Sequence, residues 1–332
     1  MKSYITLARP FTLLPPLFGI ISGAICAWGS AHNPDPTRAL TTSVILTIVL
    51  GSICASFLNA ASNSINQICD LEIDRINKPN RPLVTGAISL RKAWIFTWVF
   101  YALAIIPTWW VVVYPYTSWS AKFHAPIAAH ECFFIYIAGM IFTFVYSAPE
   151  LGRTKRHPIG ANVTIAIPRG CLLKVAGWTM VAHAFAPRTF LASAEPWFIG
   201  SVFMFFLLGA ASTKDFSDMK GDAEGGCRTL PIVFGVRKAA WMIAPSFVFP
   251  WLLLPLGAWL RDPLSPGHHI LTGNPAFLTI LGIFLALWGV YTVYLIVRNP
   301  DELTATENHP SWRHMYLMMM AAQIGFAAAY IV

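Results

Sequence analysis

Apolar stretches of about 20 residues, the length that carries an α-helix across the hydrocarbon of a bilayer, recur along this 332-residue chain. They fall at roughly residues 11–31, 41–62, 93–114, 128–148, 158–183, 197–213, 239–260, 275–297 and 313–332. A backbone in lipid has no water to bond, so such segments must close their own hydrogen bonds as helices. The expected fold is therefore all-α, a polytopic membrane bundle of about nine transmembrane helices. Composition agrees, with 56% hydrophobic and 11% charged residues. No stretch is left over for a soluble domain, and the chain reads as one unit spanning residues 1–332.

Charge sets the expected orientation. Met1-Lys2 leads into an apolar run, but Arg9 and Pro15-Pro16 interrupt it and no small-residue cleavage site follows, so this stretch reads as the first span rather than a signal peptide. The formal net charge is +8. Lys and Arg nevertheless concentrate in the N-terminus and in the second, fourth, sixth and eighth loops, a positive-inside pattern rather than a nucleic-acid surface. It predicts a multi-pass protein with a cytoplasmic N-terminus and an external C-terminus. Cys26, Cys54, Cys69, Cys132, Cys171 and Cys227 show no CxxC spacing and sit mostly in apolar runs, so neither disulfides nor a zinc site is expected. His268-His269 and His130-Glu131-Cys132 read as membrane-edge residues rather than ligands.

Two acidic runs break the apolar pattern, each at the cytoplasmic end of a span. Asn66, Asp70 and Asp74 are spaced i, i+4, i+8, and Asp215, Asp218 and Asp222 are spaced i, i+3, i+7. At roughly 100° per residue each set falls on one stripe of a helix. Like charges so placed repel unless a cation sits among them, and carboxylate oxygens are what Mg²⁺ prefers, with substrate phosphates completing its shell. A basic loop follows each run: Arg75-Ile76-Asn77-Lys78-Pro79-Asn80-Arg81-Pro82 after the first, and Gly225-Gly226-Cys227-Arg228-Thr229-Leu230-Pro231 after the second. Taken singly, these basic residues also suit anionic lipid headgroups. Acid to hold metal followed by Arg or Lys to meet phosphate oxygens is the order a diphosphate site requires. Its recurrence after about 148 residues suggests two similar halves, about 1–150 and 151–332, facing one cavity.

Asn66-xxx-Asp70-xxx-Asp74 with Asn77-Lys78-Pro79 and Arg81-Pro82, and Asp218-xxx-Asp222 with Arg228-Thr229-Leu230-Pro231, resemble the UbiA superfamily of intramembrane prenyltransferases. Arg9-Pro10, Tyr146-Ser147-Ala148-Pro149 and Arg153-Thr154-Lys155-Arg156 are also similar to family patterns. The resemblance implies a central cavity open toward lipid, and Mg²⁺-dependent transfer of a polyprenyl group from polyprenyl diphosphate to a lipophilic acceptor. It makes Asn66, Asp70, Asp74, Asp218 and Asp222 catalytic and, with Asp215, metal-binding. Lys78, Arg81, Lys155 and Arg228 would bind the diphosphate, and Tyr146 and Ser147 would belong to the acceptor side. Gln67 departs from the pattern, because many relatives carry Asp there. In such a reaction, Mg²⁺ and cations meet charge growing on the leaving diphosphate, and an electron-rich acceptor carbon attacks the allylic cation. A base then removes the proton, and the cavity keeps water away.

Arg169 and Lys174 lie inside the fifth span, where an ionisable side chain is a functional candidate. Arg169 sits about 16 Å along that helix from Pro158 and shares a face with Asn162. The pair is a candidate for holding an acceptor carboxylate, against snorkelling or pairing with Glu131. Asn66-Gln67 and Ile167-Pro168-Arg169-Gly170 are similar to the homogentisate prenyltransferase branch, and Arg228-Thr229-Leu230-Pro231 equally to the chlorophyll-synthase and archaeal glycerol-lipid branches. The favoured acceptor is aromatic, as in quinone biosynthesis, with a chlorophyllide or glycerol lipid as the alternative. Trp109-Trp110 and Phe203 to Phe206 read as packing or lipid-facing residues rather than a prenyl tunnel. Two rival classes fit less well. CDP-alcohol phosphotransferases need an Asp-Gly-xx-Ala-Arg opening that is missing here, and an ion-coupled transporter would place its acids near the midplane on broken helices.

Overall fold

The computed structural model describes residues 2–112, 115–185, 191–306 and 309–332. Among these residues the secondary structure is helical, with one isolated antiparallel bridge between Arg261 and His269. The long helices in chain order are α1 Pro10–Gly29, α2 Thr42–Cys69, α3 Leu90–Trp110, α4 Glu131–Ser147, α5 Pro158–Trp178, α6 Glu195–Glu224, α7 Val236–Trp259, α8 Pro275–Val297 and α9 Pro310–Ala329. Seven of them are long and apolar enough to cross a membrane. The others are α4, apolar but only 17 residues long, and α9, which opens on the polar run Trp312-Arg313-His314. The protein is an integral, multi-pass membrane protein.

Local sequence explains where the helices begin. Thr41 caps α2 by accepting from the Val44 N–H, Ser89 caps α3 by accepting from Lys92, and Asn274 caps α8 by accepting from Phe277 with Pro275 at the first helical position. The helices form a ring in which most neighbours in sequence are neighbours in space, closed by α1, which packs against α2, α9 and the C-terminal part of α5. The α1–α5 contact brings two backbones together. A Cβ on Gly23 would lie 2.6 Å from the Lys174 carbonyl oxygen, and one on Gly177 would lie 2.3 Å from that of Ile20. Small residues are required at such a crossing.

Three helices differ from the sequence expectation in ways that build the site. α2 runs on to Cys69 rather than ending near 62, so Asn66 is carried inside it. α6 continues to Glu224 through a tightened turn at Ala211–Lys214, so the second acidic run rides on the same helix. α5 widens into a π-turn at Ile167–Leu172, which contains Pro168. Proline has no N–H to close the ordinary ladder, and π-turns tend to present a functional side chain.

Candidate active site

The two acidic runs meet in one cavity of about 690 Å³, lined by Asn66, Asp70, Asp74, Asp215, Asp218 and Asp222. Asp70 caps α2 and breaks its helical geometry, yet the hydrogen-bond ladder survives the break. The Asp70 N–H donates to Asn66 O at 2.9 Å, Asp74 to Asp70 O at 2.8 Å, and Lys78 to Asp74 O at 2.8 Å. That continuity keeps the i, i+4, i+8 stripe facing one way into the short helix Leu71–Asn77.

Lys78, Arg81 and Lys155 also line this cavity, but they are bound to the carboxylates themselves. Lys155 Nζ lies 2.6 Å from Asp70 Oδ2 and 3.5 Å from Asp222 Oδ1, bridging the two runs. Lys78 Nζ lies 3.1 Å from Asp218 Oδ1, and Arg81 pairs with Asp74. Sequence reasoning left Arg153 without a role, yet its guanidinium lies 2.5 Å from Asp70 Oδ1 and also reaches the Cys69 carbonyl. The available signal was Gly152, which marks a turn: the chain passes through left-handed conformations at Gly152 and Arg153. Burial opposes the charge on Lys155, but Asp70, Tyr146 and Asp222 outweigh it and hold the ammonium above the ordinary lysine value. Burial pushes the Asp74 carboxyl above the usual range, with Arg81 acting against it.

One side chain clamps the two runs together. Asn77 donates from Nδ2 to the Asp218 carbonyl at 2.8 Å and accepts from the Gly221 N–H at 2.9 Å. Gln67, the departure from the family pattern, faces elsewhere: its amide donates to Leu7 O at 3.0 Å and to Asn63 O at 3.2 Å, anchoring the N-terminal helix Lys2–Ala8.

A second, more apolar chamber of about 320 Å³ adjoins the first, lined in part by Leu58, Ile135, Tyr136, Leu172, Phe203 and Met315. Arg9, Arg169, Lys214 and Trp312 line both compartments and so mark their boundary. Arg169 extends from the π-turn, touches Ser62 Oγ at 3.5 Å, and pairs with no carboxylate among the described residues. Glu131 is occupied elsewhere, accepting from the backbone of Ala184 and Phe185 and from His183. Lys214 stacks over Trp312, 4.9 Å from the ring centroid.

The remaining expected residues fall in different places. Arg228 is exposed and lines neither compartment; among the described residues its backbone N–H donates to Arg156 O and its guanidinium makes no ion pair. Asn162 is buried against α6, where it accepts from Ser212 at 2.9 Å, and it is absent from both linings. Tyr146 and Ser147 do line the polar cavity. Lys174 does not snorkel: it is buried, bonded to Gln323 and 4.3 Å from the Phe203 ring centroid. Phe203 lines the apolar chamber instead of serving only as packing, whereas Phe206 packs on Phe247 and Trp251.

Among the described residues, no three His, Cys, Asp or Glu side chains converge closely enough to hold a metal ion by themselves. The donors nonetheless suit Mg²⁺. They are hard oxygens, and this ion is usually held by one or two carboxylates plus water and substrate phosphate rather than by a protein cage.

Residues 13–308 match the family model of the UbiA prenyltransferase family. The digeranylgeranylglyceryl phosphate synthase of Methanobrevibacter smithii is 24% identical over 327 residues, covering 98% of this chain and 97% of that protein. The bacteriochlorophyll synthase 34 kDa chain of Chloroflexus aurantiacus is 26% identical over 325 residues, covering 98% and 90%. A solved UbiA homolog from Archaeoglobus fulgidus, bound to GPP and Mg²⁺, has the same fold, with a TM-score of 0.66, 19% identity, and coverage of 99% of this chain and 100% of that one.

Proposed function

This chain belongs to the UbiA prenyltransferase family and is an intramembrane prenyltransferase; on that premise we propose that it transfers a prenyl group from a Mg²⁺-held prenyl diphosphate to a lipophilic acceptor with an anionic head, a glycerol-lipid phosphate in preference to an aromatic acid. The observation that carries the acceptor is the cationic boundary. Arg9 and Arg169 face both compartments and pair with no carboxylate among the described residues, whereas four other cations are engaged by the acidic runs. A guanidinium pair suits a phosphate head. The glycerol-lipid name of the Methanobrevibacter smithii relative supports this reading over the quinone-type acceptor favoured by the motifs around Arg169.

Asn66, Asp70, Asp74, Asp218 and Asp222 would hold the ion, and bound Mg²⁺ supplies positive charge to the leaving diphosphate. Lys78, Arg81 and Lys155 stand beside those carboxylates, where they would meet phosphate oxygens and stabilise the charge that develops as the carbon–oxygen bond breaks. Arg9 and Arg169 would orient the acceptor so that its free hydroxyl oxygen bonds to the allylic carbon. Asp215 lines the cavity without an ion pair among the described residues, and its carboxylate would take the hydroxyl proton. The apolar chamber would shelter hydrocarbon and keep water from the cation.

The test is a product assay by mass spectrometry, with the purified protein offered prenyl diphosphates together with a prenylglyceryl phosphate, homogentisate or a chlorophyllide. Transfer to the glyceryl phosphate is expected. Transfer only to homogentisate or the chlorophyllide would overturn the acceptor, and no consumption of any prenyl diphosphate would overturn the reaction.

A further inference from the structure

A second charged cavity lies at the opposite end of α2. Thr47 precedes Asn66 by 19 residues, which is about 28 Å of helix. A cavity of about 180 Å³ opens there, lined by Ser43, Leu46, Thr47, Trp110, Trp119 and Lys122. Lys122 is 5% exposed, and its ammonium donates to the Thr47 hydroxyl, which in turn donates to Ser43 O at 2.7 Å. An ammonium has three protons to place, and among the described residues one of them is received, by the neutral Thr47 oxygen. No carboxylate pairs with Lys122 among the described residues. Asp35 lines a small adjoining pocket with Lys122, but its oxygens accept from Thr37 and Ala39. Burial without a compensating charge pushes the ammonium below the ordinary lysine value.

A buried, uncompensated cation is costly unless an anion joins it. The walls indicate where that anion comes from. Trp119 and Leu46 are 58% and 47% exposed, so the rim is apolar and faces the surface that lipid covers. Tryptophan is favoured at headgroup depth, where its ring is in hydrocarbon and its N–H is near water. A cavity of about 180 Å³ suits a headgroup and is too small for an acyl chain; the chain would run over Leu46 and the exposed Ile45 and Ile53 of the same helix.

We propose that the Lys122 cavity binds the phosphate of an anionic phospholipid from the leaflet opposite the prenyl-transfer site, with its acyl chains lying along the N-terminal half of α2. Binding there is separate from catalysis, because none of the lining residues belongs to the carboxylate cavity.

The full-length protein in detergent would be titrated with phosphatidylglycerol, phosphatidylcholine or inorganic phosphate, with retained lipid read by native mass spectrometry and Tm recorded. Phosphatidylglycerol is expected to be retained and to raise Tm, and phosphatidylcholine is not. Lys122→Met keeps most of the apolar stem and removes the charge, so it should weaken phosphatidylglycerol retention by about tenfold, the worth of one charge-assisted hydrogen bond, and leave prenyl transfer unchanged. Lys122→Arg should retain the lipid, and Lys122→Gln serves if the Met variant does not fold. Each variant to Met or Gln changes the formal +8 charge by one, so general attraction of anionic lipid to the surface would persist in both. Undiminished retention by the neutral variants would overturn the site, and an equal Tm rise with inorganic phosphate alone would overturn the lipid as its source.

Discussion

Replacing Asn77 with Ala removes the two hydrogen bonds that lock the first acidic run to the second, at 2.8 Å to Asp218 O and 2.9 Å from the Gly221 N–H. Neutral hydrogen bonds contribute about 1 kcal/mol each, so about 2 kcal/mol of positioning is at stake. If that energy holds Asp218 and Asp222 in register with Asp70 and Asp74 when the diphosphate leaves, turnover should fall by about 30-fold. Gly221→Ala reaches the same contact from the other side, since its Cβ would lie 2.6 Å from Asn77 Cγ and Oδ1. It should therefore give a similar loss with the amide intact. The double variant Asn77→Ala with Gly221→Ala has room for both methyl groups, and its loss should stay near that of Asn77→Ala instead of multiplying, because the two changes break one contact. Prenyl diphosphate turnover measured across a Mg²⁺ titration is the assay, with Tm recorded for each variant. The clamp has no positioning role if Asn77→Ala stays within about twofold of wild type at every Mg²⁺ concentration, or if the double variant shows the product of the single losses.

Asp70→Asn and Asp218→Asn should each lower turnover by at least about a hundredfold, and together scarcely more, since residues acting as a unit are non-additive; multiplying losses in steady-state kinetics would separate the two runs. Excess chelator should abolish turnover yet shift Tm little, because side-chain cations already compensate Asp70, Asp74, Asp218 and Asp222; a large fall in Tm on chelation would show that folding depends on metal. Arg169→Leu should raise the KM for an anionic acceptor by about tenfold or more while sparing the KM for prenyl diphosphate, as expected for loss of one charged hydrogen bond; an unchanged acceptor KM returns Arg169 to a role in packing. In a cysteine-free background, single cysteines at Lys78 and Arg228 should label from the cytoplasmic side and one at His268 from outside; labelling of positions 78 and 228 from opposite sides would contradict a shared face.

The membrane class and the acidic stripes were legible because they rest on local periodicities, apolar length and i, i+4 spacing, which tertiary packing cannot easily override. The helix ends were less so. Asn66 and Asp215 lie beyond the hydrophobic limit of their spans but within the helices, since polar residues can continue a helix once it leaves the hydrocarbon. Pro168 announced a disturbance in α5 without indicating that the result would be a π-turn aiming Arg169 at the cavity. Partners were least legible. Arg81 and Arg228 occupy equivalent places after their acidic runs, yet Arg81 turns inward to Asp74 while Arg228 stays exposed beyond Cys227, and spacing along one strand of sequence does not encode that choice. Asn162 shared a helical face with Arg169 by arithmetic, but the π-turn between them rotates that face, and Asn162 meets Ser212 instead.

The cations that pair with the acidic runs explain how a membrane protein can keep several carboxylates close together before any substrate arrives. Lys155 lies between Asp70 and Asp222, one from each run, so it joins the two halves of the cavity by charge as Asn77 joins them by hydrogen bonds. A magnesium diphosphate brings positive and negative charge together. On the proposed function, the carboxylates would exchange an ammonium or guanidinium partner for the metal, while the displaced cation would gain phosphate oxygens, with little net change in buried charge. This exchange costs far less than admitting an isolated ion to the same site. It also requires Lys78, Arg81 and Lys155 to stand beside carboxylates in the free protein, the arrangement that contact with phosphate alone would not demand.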